Sequence, residues 1–387
     1  MREMLPYGRQ NVTDADIEAV AIALRSAMIT QGPRVAGFED ALATVVGAQY
    51  AVAFNSGTAA LHAAYFASGV GEGAEVITSP ITFAATANAS YYLGGRVRYV
   101  DIDPASALID PAELRKVKSA GGLTVVAPIH FGGQVADMGS IARVAGDRGW
   151  AVVEDAAHAL GARYLVAGVE HRVGACAHSS MCCFSFHPVK HITTGEGGAV
   201  TTNDPALRDR LARFRSHGIT RNPAEMRVNE GPWYYEQHDL GFNYRITDFQ
   251  CELGRSQLER LGEIVARRRA IAAKYDALFS GNEFIFPLQA PSNSRGSYHL
   301  YVVQVPAEIR RSVFDLAREN GLGVNVHYIP VYHHPYHKEK VGEMRLESAE
   351  AYYERAITLP LFPEMTDSEV GRVVEIMDSA VRRCLVP

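Results

Sequence analysis

The feature that most constrains the fold is a repeated alternation of short apolar segments with helix-forming stretches in the first half of the chain. Near-continuous apolar strands separated by helices are typical of a mostly parallel sheet covered on both faces. The apolar segments at 179–186 and 198–202 then follow each other without a helix between them, which predicts a mixed sheet. The earlier strands are predicted at 50–54, 75–78, 97–101, 123–129 and 151–154.

A second, smaller domain is predicted after the sheet. A stretch rich in Leu, Glu and Arg at 247–269 favours a long helix that carries the chain out of the first domain. Beyond it, an apolar run at 298–305 and several helical stretches indicate a smaller α/β unit. We place the boundary at Cys251, which gives a large domain over 1–251 and a small C-terminal domain over 252–387.

The first helix is predicted to begin near Thr13. Thr13 and Asp16 form a capping pattern at its start. Apolar residues then recur at helical spacing from Ile17 to Met28. Gly32 and Pro33 follow, and we expect them to stop this helix.

Composition excludes several classes of function. The formal net charge is -5 and the basic residues are scattered, which argues against a nucleic-acid partner. The first ten residues are polar and lack the pattern of a signal peptide, and no apolar stretch reaches the roughly 20 residues of a membrane span. The five cysteines lack the spacing of a disulfide framework or a zinc site. We therefore expect a cytoplasmic protein that does not bind membranes.

The segment from Asn55 to Leu61 follows a strand and opens a helix. Unpaired backbone N–H groups and the positive end of the helix dipole then meet at Gly57 and Thr58, as in a phosphate site. The alternative is an ordinary helix cap formed by Ser56 or Thr58.

Asp155 ends a strand, where open α/β sheets place their ligands. A partly buried carboxylate there needs a cationic partner, and a protonated pyridine nitrogen would serve. The alternative is a structural salt bridge at the strand end. His158, three residues later, could contact the other polar groups of such a ring, or it is a structural histidine.

Lys190 lies between an apolar strand and a glycine-rich turn, which is an unusual place for a solvated charge. Desolvation and the neighbouring histidines are expected to lower the pKa of its amine and favour the free base that forms a Schiff base. Ser185, five positions earlier, could complete the phosphate site at Gly57 and Thr58.

Together, the elements around Ser56-Gly57-Thr58, Asp155 to His158, and Ser185 to Lys190 resemble the DegT/StrS family of sugar-nucleotide aminotransferases. The resemblance implies the aspartate aminotransferase-like fold (type I) of pyridoxal 5'-phosphate (PLP) enzymes, with a large mixed, mostly parallel sheet domain and a small C-terminal α/β domain. It also implies a homodimer with shared active sites. The cofactor residues it implies are Gly57, Thr58, Phe83, Asp155, His158, Ser185, Lys190 and Asn243, the last reaching the phosphate bound by the neighbouring subunit.

In that family Lys190 would carry the cofactor and, with Asp155, form the catalytic pair. Phe83 would stack on the cofactor ring, although a single Phe is more often core. Segments near Lys190, His217 and Trp233 are similar to the pseudaminic acid branch. That branch uses L-glutamate to aminate the 4-ketone of a UDP-linked 2-acetamido-2,6-dideoxyhexulose, cycling between PLP and its pyridoxamine form.

The same resemblance places substrate residues at the amino terminus, in the loop after the first helix and near His327. Several alternatives remain open: another keto-sugar aminotransferase, a sugar 3-dehydratase in which histidine replaces the lysine, and a non-catalytic cofactor-binding regulator. A metal cluster of His327, His333, His334 and His337 is a further alternative, but no companion carboxylate or cysteine spacing favours it. The implied substrate residues are Tyr7, Ala27, Met28, Ile29, Thr30, His327, Tyr328, Ile329 and Tyr336.

Overall fold

The computed structural model describes residues 4–118 and 121–385, so the outermost ends of the two predicted domains, 1–3 and 386–387, lie outside the described residues. The helices are α1 (Asp14–Leu24), α2 (Pro33–Val46), α3 (Gly57–Ala67), α4 (Ala85–Tyr91), α5 (Pro111–Lys116), α6 (Met138–Gly146), α7 (Pro205–Arg215), α8 (Asp248–Glu259), α9 (Leu261–Phe279), α10 (Arg310–Glu319), α11 (Pro335–Val341), α12 (Glu347–Arg355) and α13 (Asp367–Leu385). The strands are β1 (Tyr50–Phe54), β2 (Glu75–Thr78), β3 (Arg96–Tyr99), β4 (Thr124–Ala127), β5 (Ala151–Asp155), β6 (Arg163–Val166), β7 (Val169–Arg172), β8 (Met181–Ser185), β9 (Gly198–Thr202), β10 (Ile219–Thr220), β11 (Glu236–Gln237), β12 (Phe286–Pro287), β13 (Ser294–Arg295), β14 (Tyr301–Gln304) and β15 (Ala356–Leu359).

The main sheet has seven strands within the described residues, in the order β1-β9-β8-β5-β4-β2-β3. In this sheet β9 runs opposite to the other six strands, which are parallel to one another, so the predicted mixed and mostly parallel sheet is confirmed. Strands such as β2 and β4 are buried along their whole length, which explains why they are apolar without alternation.

This topology decides where a site can form. The strands β1, β8, β5, β4 and β2 all point the same way, so their carboxyl ends share one edge of the sheet. Ligands of open α/β sheets bind at this edge. Asp155 and Ser185 are the last residues of their strands there, and Gly57 begins the helix that follows β1.

A second hydrophobic core lies mainly in the C-terminal part of the chain. It packs α9, α10 and α13 against a small sheet in the order β12-β14-β15. Leu5 near the amino terminus also contributes to it. Cys251, the predicted boundary, is buried inside α8 and packs in the larger core, and the chain continues into α9 after a break at Arg260. The division at this residue therefore stays a prediction.

The first helix begins as predicted but ends early. Thr13 and Asp16 form the expected capping box. The helix ends at Leu24, and Gly32 and Pro33 begin the next helix instead of stopping this one, so that part of the prediction was wrong. Proline has no N–H to lose in the first helical turn, and therefore the same dipeptide suits a start or a stop.

No helix in residues 4–118 or 121–385 is both long and apolar enough to cross a membrane.

Candidate active site

A cavity of about 920 Å³ opens at the carboxyl edge of the main sheet. It brings together most of the predicted site residues, although they are far apart in the sequence. Two predicted groups lie elsewhere: the segment 27–30 and Asn243 do not line the cavity of this chain. The predicted residues that do line it are Tyr7, Gly57, Thr58, Phe83, Asp155, His158, Ser185, Lys190, His327, Tyr328, Ile329 and Tyr336.

One end of the cavity is formed by the start of α3 and the end of β8. Ser56 caps the helix by accepting a hydrogen bond from the backbone N–H of Ala59 (3.1 Å), so the cap interpretation holds for Ser56. Gly57 and Thr58 follow at the positive end of the helix dipole. A β-carbon on Gly57 would lie 2.8 Å from the β-carbon of Ser185, so glycine is needed for the serine to approach this helix end. These residues fit a phosphate group.

Asp155 presents a buried carboxylate to the cavity, with only 5% of the residue exposed. One of its oxygens accepts a hydrogen bond from the Thr86 hydroxyl (2.6 Å), and the other accepts one from the backbone N–H of Ala157 (3.2 Å). Neither donor carries a charge, and no side chain of residues 4–118 or 121–385 forms a salt bridge with this carboxylate, so a cationic ligand group could still pair with it. A protonated pyridine nitrogen fits this position.

Lys190 lies in the turn after β8, where its backbone N–H donates to the carbonyl of His187 (2.9 Å). Burial lowers the pKa of its amine to about 7; the negative charge of Asp155 opposes this shift and Arg268 reinforces it. The neighbouring histidines were predicted to contribute to this shift. In the structure, the positive charge that lowers the pKa of Lys190 is that of Arg268, from α9. A substantial share of the amine is therefore uncharged near neutral pH, as nucleophilic attack on a carbonyl carbon requires.

His158 and Phe83 both line the cavity. The Nδ1 atom of His158 accepts a hydrogen bond from the backbone N–H of Gly132 (3.4 Å), and its Nε2 atom lies 3.2 Å from the Tyr328 hydroxyl. Burial lowers the pKa of His158 well below its usual value, so the ring is neutral. Phe83 is 63% exposed and lines the cavity, so the alternative that it belongs to the core was wrong.

His299 is a residue of the cavity that was not predicted from the sequence. Its Nε2 atom lies 3.3 Å from the Nζ atom of Lys190, and only 5% of the residue is exposed. The available signal was a single imidazole directly before the apolar run of β14. Nothing in the sequence links that position to Lys190.

The histidines of the metal alternative have separate partners. His327 lies 2.9 Å from the Thr358 hydroxyl, and the Nε2 atom of His333 lies 2.8 Å from a Glu350 oxygen. Across residues 4–118 and 121–385, no group of three or more His, Cys, Asp or Glu side chains is arranged to hold a metal ion.

The site combines a desolvated amine, a buried carboxylate with two neutral hydrogen-bond donors and a helix start beside a serine. Pyridoxal phosphate has the complementary groups: an aldehyde, a pyridine nitrogen and a phosphate. On this fold they define a class, the PLP-dependent aminotransferases of fold type I.

Comparisons with known proteins agree with this class and narrow it. The chain belongs to the DegT/DnrJ/EryC1/StrS aminotransferase family, whose model matches residues 10–378. It is 38% identical to the spore coat polysaccharide biosynthesis protein SpsC of Bacillus subtilis, covering 98% of this chain and 97% of the relative. It is 35% identical to the UDP-4-amino-4,6-dideoxy-N-acetyl-beta-L-altrosamine transaminase of Campylobacter jejuni, covering 98% of both.

A solved structure is similar throughout. PseC of Helicobacter pylori, an aminotransferase involved in the biosynthesis of pseudoaminic acid, superposes with a TM-score of 0.90 at 28% identity. The match covers 98% of this chain and 100% of that one.

Proposed function

We propose that this aminotransferase moves the amino group of L-glutamate to the 4-ketone of UDP-2-acetamido-2,6-dideoxy-hexos-4-ulose. The product would be UDP-4-amino-4,6-dideoxy-N-acetyl-altrosamine, an intermediate in pseudaminic acid biosynthesis. The observation that carries the transamination step is the Lys190 amine, with its pKa of about 7, in one cavity with Asp155. The choice of sugar is supported by the full-length similarity to the C. jejuni transaminase.

Lys190 has two roles in this proposal. Its amine is the covalent anchor of the cofactor, and after release it carries the proton between carbon atoms during each half of the reaction. Both roles need an amine that gains and loses a proton near neutral pH, which a solvated lysine with a pKa of about 10.4 does poorly.

The other cofactor residues would bind the cofactor and would form no covalent bond with it. When bound, pyridoxal phosphate supplies a ring that stabilises negative charge beside the amine being transferred. Asp155 would keep the pyridine nitrogen protonated, and Phe83 would lie against the ring face. Gly57, Thr58 and Ser185 would bind the phosphate, and His158 would contact the polar edge of the ring.

The remaining cavity wall suits a sugar nucleotide. Tyr7, Tyr328 and Tyr336 offer flat faces with hydroxyl groups, and His327 and Ile329 complete this side. Aromatic and histidine side chains of this kind pack on sugar and base rings while donating hydrogen bonds. The cavity volume of about 920 Å³ is large enough for a ligand of that size beside the cofactor.

A second candidate is an aminotransferase for another keto-deoxysugar nucleotide. The similarity to SpsC, at 38% identity, is slightly higher than that to the altrosamine transaminase. The proposed cofactor roles are the same for both candidates, so only the sugar distinguishes them.

We also propose that the protein is a cytoplasmic homodimer in which each active site contains residues of both subunits. Apolar side chains in and after α1 are largely exposed, including Ile17 (59%), Leu24 (53%) and Met28 (46%). A subunit interface would bury them. Asn243 is exposed outside the cavity of its own chain, as a residue serving the neighbouring site would be. The loop 27–30 would reach the same neighbouring site.

The substrate proposal is tested by spectroscopy on the purified holoenzyme. Glutamate should convert the visible absorbance of the bound cofactor to that of its pyridoxamine form. UDP-linked and dTDP-linked 4-keto-6-deoxyhexoses are then added in turn. Reversal only by the UDP-2-acetamido ketone supports the proposal, whereas reversal by another sugar favours the second candidate, and no response to glutamate contradicts the proposed donor.

Subunit sharing is tested by mixing two inactive variants. Lys190→Ala and Asn243→Ala damage different chains of one site if the sites are shared. Mixed dimers should then regain activity at the site that receives both native residues. No recovery after verified subunit exchange would contradict shared sites.

A further inference from the structure

His299 occupies a position that the proposed mechanism does not use. Its Nε2 atom is 3.3 Å from Lys190 Nζ, and its ring lies against His158 with centroids 4.4 Å apart. The other ring nitrogen, Nδ1, is buried and has no hydrogen-bond partner among the described residues. Buried polar atoms are normally paired, so an unpaired one beside a reactive amine needs a reason.

The segment that carries His299 is firmly held against the large sheet domain. The backbone N–H of Ser297 donates to the carbonyl of Gly133 (2.9 Å), and that of Leu300 donates to the carbonyl of Gly132 (3.2 Å). A β-carbon on Gly133 would lie 2.9 Å from the backbone nitrogen of His299, so glycine permits this close approach. The imidazole is thus delivered to Lys190 by a fixed backbone.

A buried arginine secures the same segment from the other side. One guanidinium nitrogen of Arg268, which is 1% exposed, lies within hydrogen-bond distance of the carbonyls of Tyr298 (3.3 Å), His299 (3.4 Å) and Leu361 (3.1 Å). The arginine also faces Lys190, whose pKa it lowers. The charged or titratable groups that face His299 are Lys190, His158, His191 and Arg268.

The electrostatics make His299 a neutral partner. Burial lowers its pKa well below the usual value, and a positive charge on Lys190 lowers it further. A neutral imidazole carries one proton, on either nitrogen. Because Nδ1 has no fixed partner, the ring is free to keep its proton there and leave Nε2 as an acceptor.

We propose that His299 is a catalytic residue that binds the amine of Lys190 each time that amine is released from its covalent attachment. This inference rests on the proposed aminotransferase mechanism. The free amine donates one N–H to Nε2 and keeps its lone pair for the proton leaving the substrate carbon. The proton that Lys190 takes up is returned to carbon by the same nitrogen, so His299 gains and loses no net proton. It stabilises the ammonium by accepting its hydrogen bond.

The first test uses the apoenzyme and does not depend on turnover. The rate of reductive methylation at Lys190, followed by mass spectrometry across a pH series, reports the pKa of its amine. His299→Leu removes the acceptor and should lower that pKa by about one unit. His299→Gln, whose amide oxygen lies near the position of Nε2, should restore most of the shift. His171→Leu, on the remote hairpin strand β7, is the matched control.

The second test is the glutamate half-reaction of the holoenzyme. His299→Leu should slow it by about tenfold or more with little change in KM, because proton transfer and not binding is affected. His299→Gln should recover most of the rate. Unchanged pKa and rate in His299→Leu would overturn the proposal, as would a slow His299→Gln with an unchanged Lys190 pKa, which indicates a structural role. If the wild-type holoenzyme itself fails to react with glutamate, the proposed function fails, while the apoenzyme test still decides whether His299 binds Lys190.

Discussion

Glu154 and Asp155 are neighbours in β5, yet they belong to two different kinds of buried polar region. Their side chains point to opposite faces of the sheet, and they are 1% and 5% exposed. One oxygen of Glu154 accepts from His130 Nε2 (2.7 Å) and the other from the Ser179 hydroxyl. The backbone N–H of Ala136 donates to His130 Nδ1, so this cluster is closed and its polar atoms are paired.

The region on the Asp155 face is open in two ways: it borders the cavity, and its polar groups are not all paired among the described residues. Among the described residues its carboxylate has only neutral hydrogen-bond donors and Nδ1 of His299 has no hydrogen-bond partner, while the pKa of Lys190 is lowered to about 7. All three residues line the cavity. Burial of polar groups therefore does not by itself mark function. Unsatisfied polar groups that face a cavity do, because a ligand can complete them.

The largest expected difference between the two regions follows from Lys190→Ala. Transamination should fall by more than about 10⁴-fold, since the variant loses both the covalent anchor and the proton carrier. Steady-state assays and the cofactor absorbance measure this. Lys116→Ala on exposed α5 is the control. Normal turnover by Lys190→Ala would mean that the region on the Asp155 face does not take part in the reaction.

Asp155→Asn separates the two carboxylates of β5. Its amide oxygen can still accept from Thr86, so we expect little change in the free energy of unfolding. The half-reaction should slow by about 10²- to 10³-fold because the ring nitrogen loses its anionic partner. Stopped-flow absorbance with glutamate measures the rate. Unchanged kinetics would mean that Asp155 is as structural as Glu154.

His130→Leu is the converse experiment on the closed cluster. Glu154 loses one donor and the backbone N–H of Ala136 loses its acceptor, which should cost about 2–3 kcal/mol of unfolding free energy. Denaturant titration measures this cost, with His171→Leu as control. The rate per folded molecule should be unchanged, and a large drop in kcat would show that the cluster positions Asp155.

The site residues that come from the main sheet and the turn after it could be predicted from the sequence, whereas those from the C-terminal part could not. The strand-end position of Asp155 and the turn that holds Lys190 were both predictable, because apolar segments locate the carboxyl edge of the sheet. Arg268 and His299 could not be placed there, since they come from the C-terminal part and reach Lys190 only through tertiary packing. The pairing of Glu154 with His130 could not be predicted either, because no sequence pattern links these two positions.

The existence of the strands and helices was predicted better than the positions of their ends. The bounds of β1, β2 and β9 match the predicted segments, whereas 123–129 and 97–101 each extended beyond the observed strand. The predicted helix at 247–269 is interrupted at Arg260, and this break was not predicted, although Gly262 lies two residues beyond it. Apolar pattern thus fixes which elements exist, and tertiary contacts fix where they end.

The open region should also affect stability through pH. Lys190 has a pKa of about 7 in the folded apoenzyme and about 10.4 when unfolded. Between these values the unfolded chain binds one more proton, so stability should rise with pH by up to about 1.4 kcal/mol per unit. Below pH 7 both states are protonated and the penalty is constant. Lys190→Met should lack this rise, and parallel pH profiles of the two apoenzymes would contradict a desolvated amine.

The smallest expected effect tests how general the comparison is. His62 in α3 is 1% exposed and, like His299, has one buried nitrogen without a hydrogen-bond partner in the described part of the chain. Its other nitrogen lies 3.0 Å from the Tyr244 hydroxyl. Unlike His299, it packs among the rings of Phe214 and Phe242 and does not line the cavity.

His62→Phe keeps this ring packing and removes only the hydrogen bond to Tyr244. We expect a loss of about 1 kcal/mol or less in unfolding free energy and an unchanged half-reaction with glutamate. Thermal unfolding and stopped-flow absorbance measure the two quantities. A slower reaction with weaker cofactor binding would instead mean that His62 acts on the site through the loop of Asn243. An unsatisfied nitrogen would then mark function even away from the cavity, and the cavity would no longer be part of the criterion.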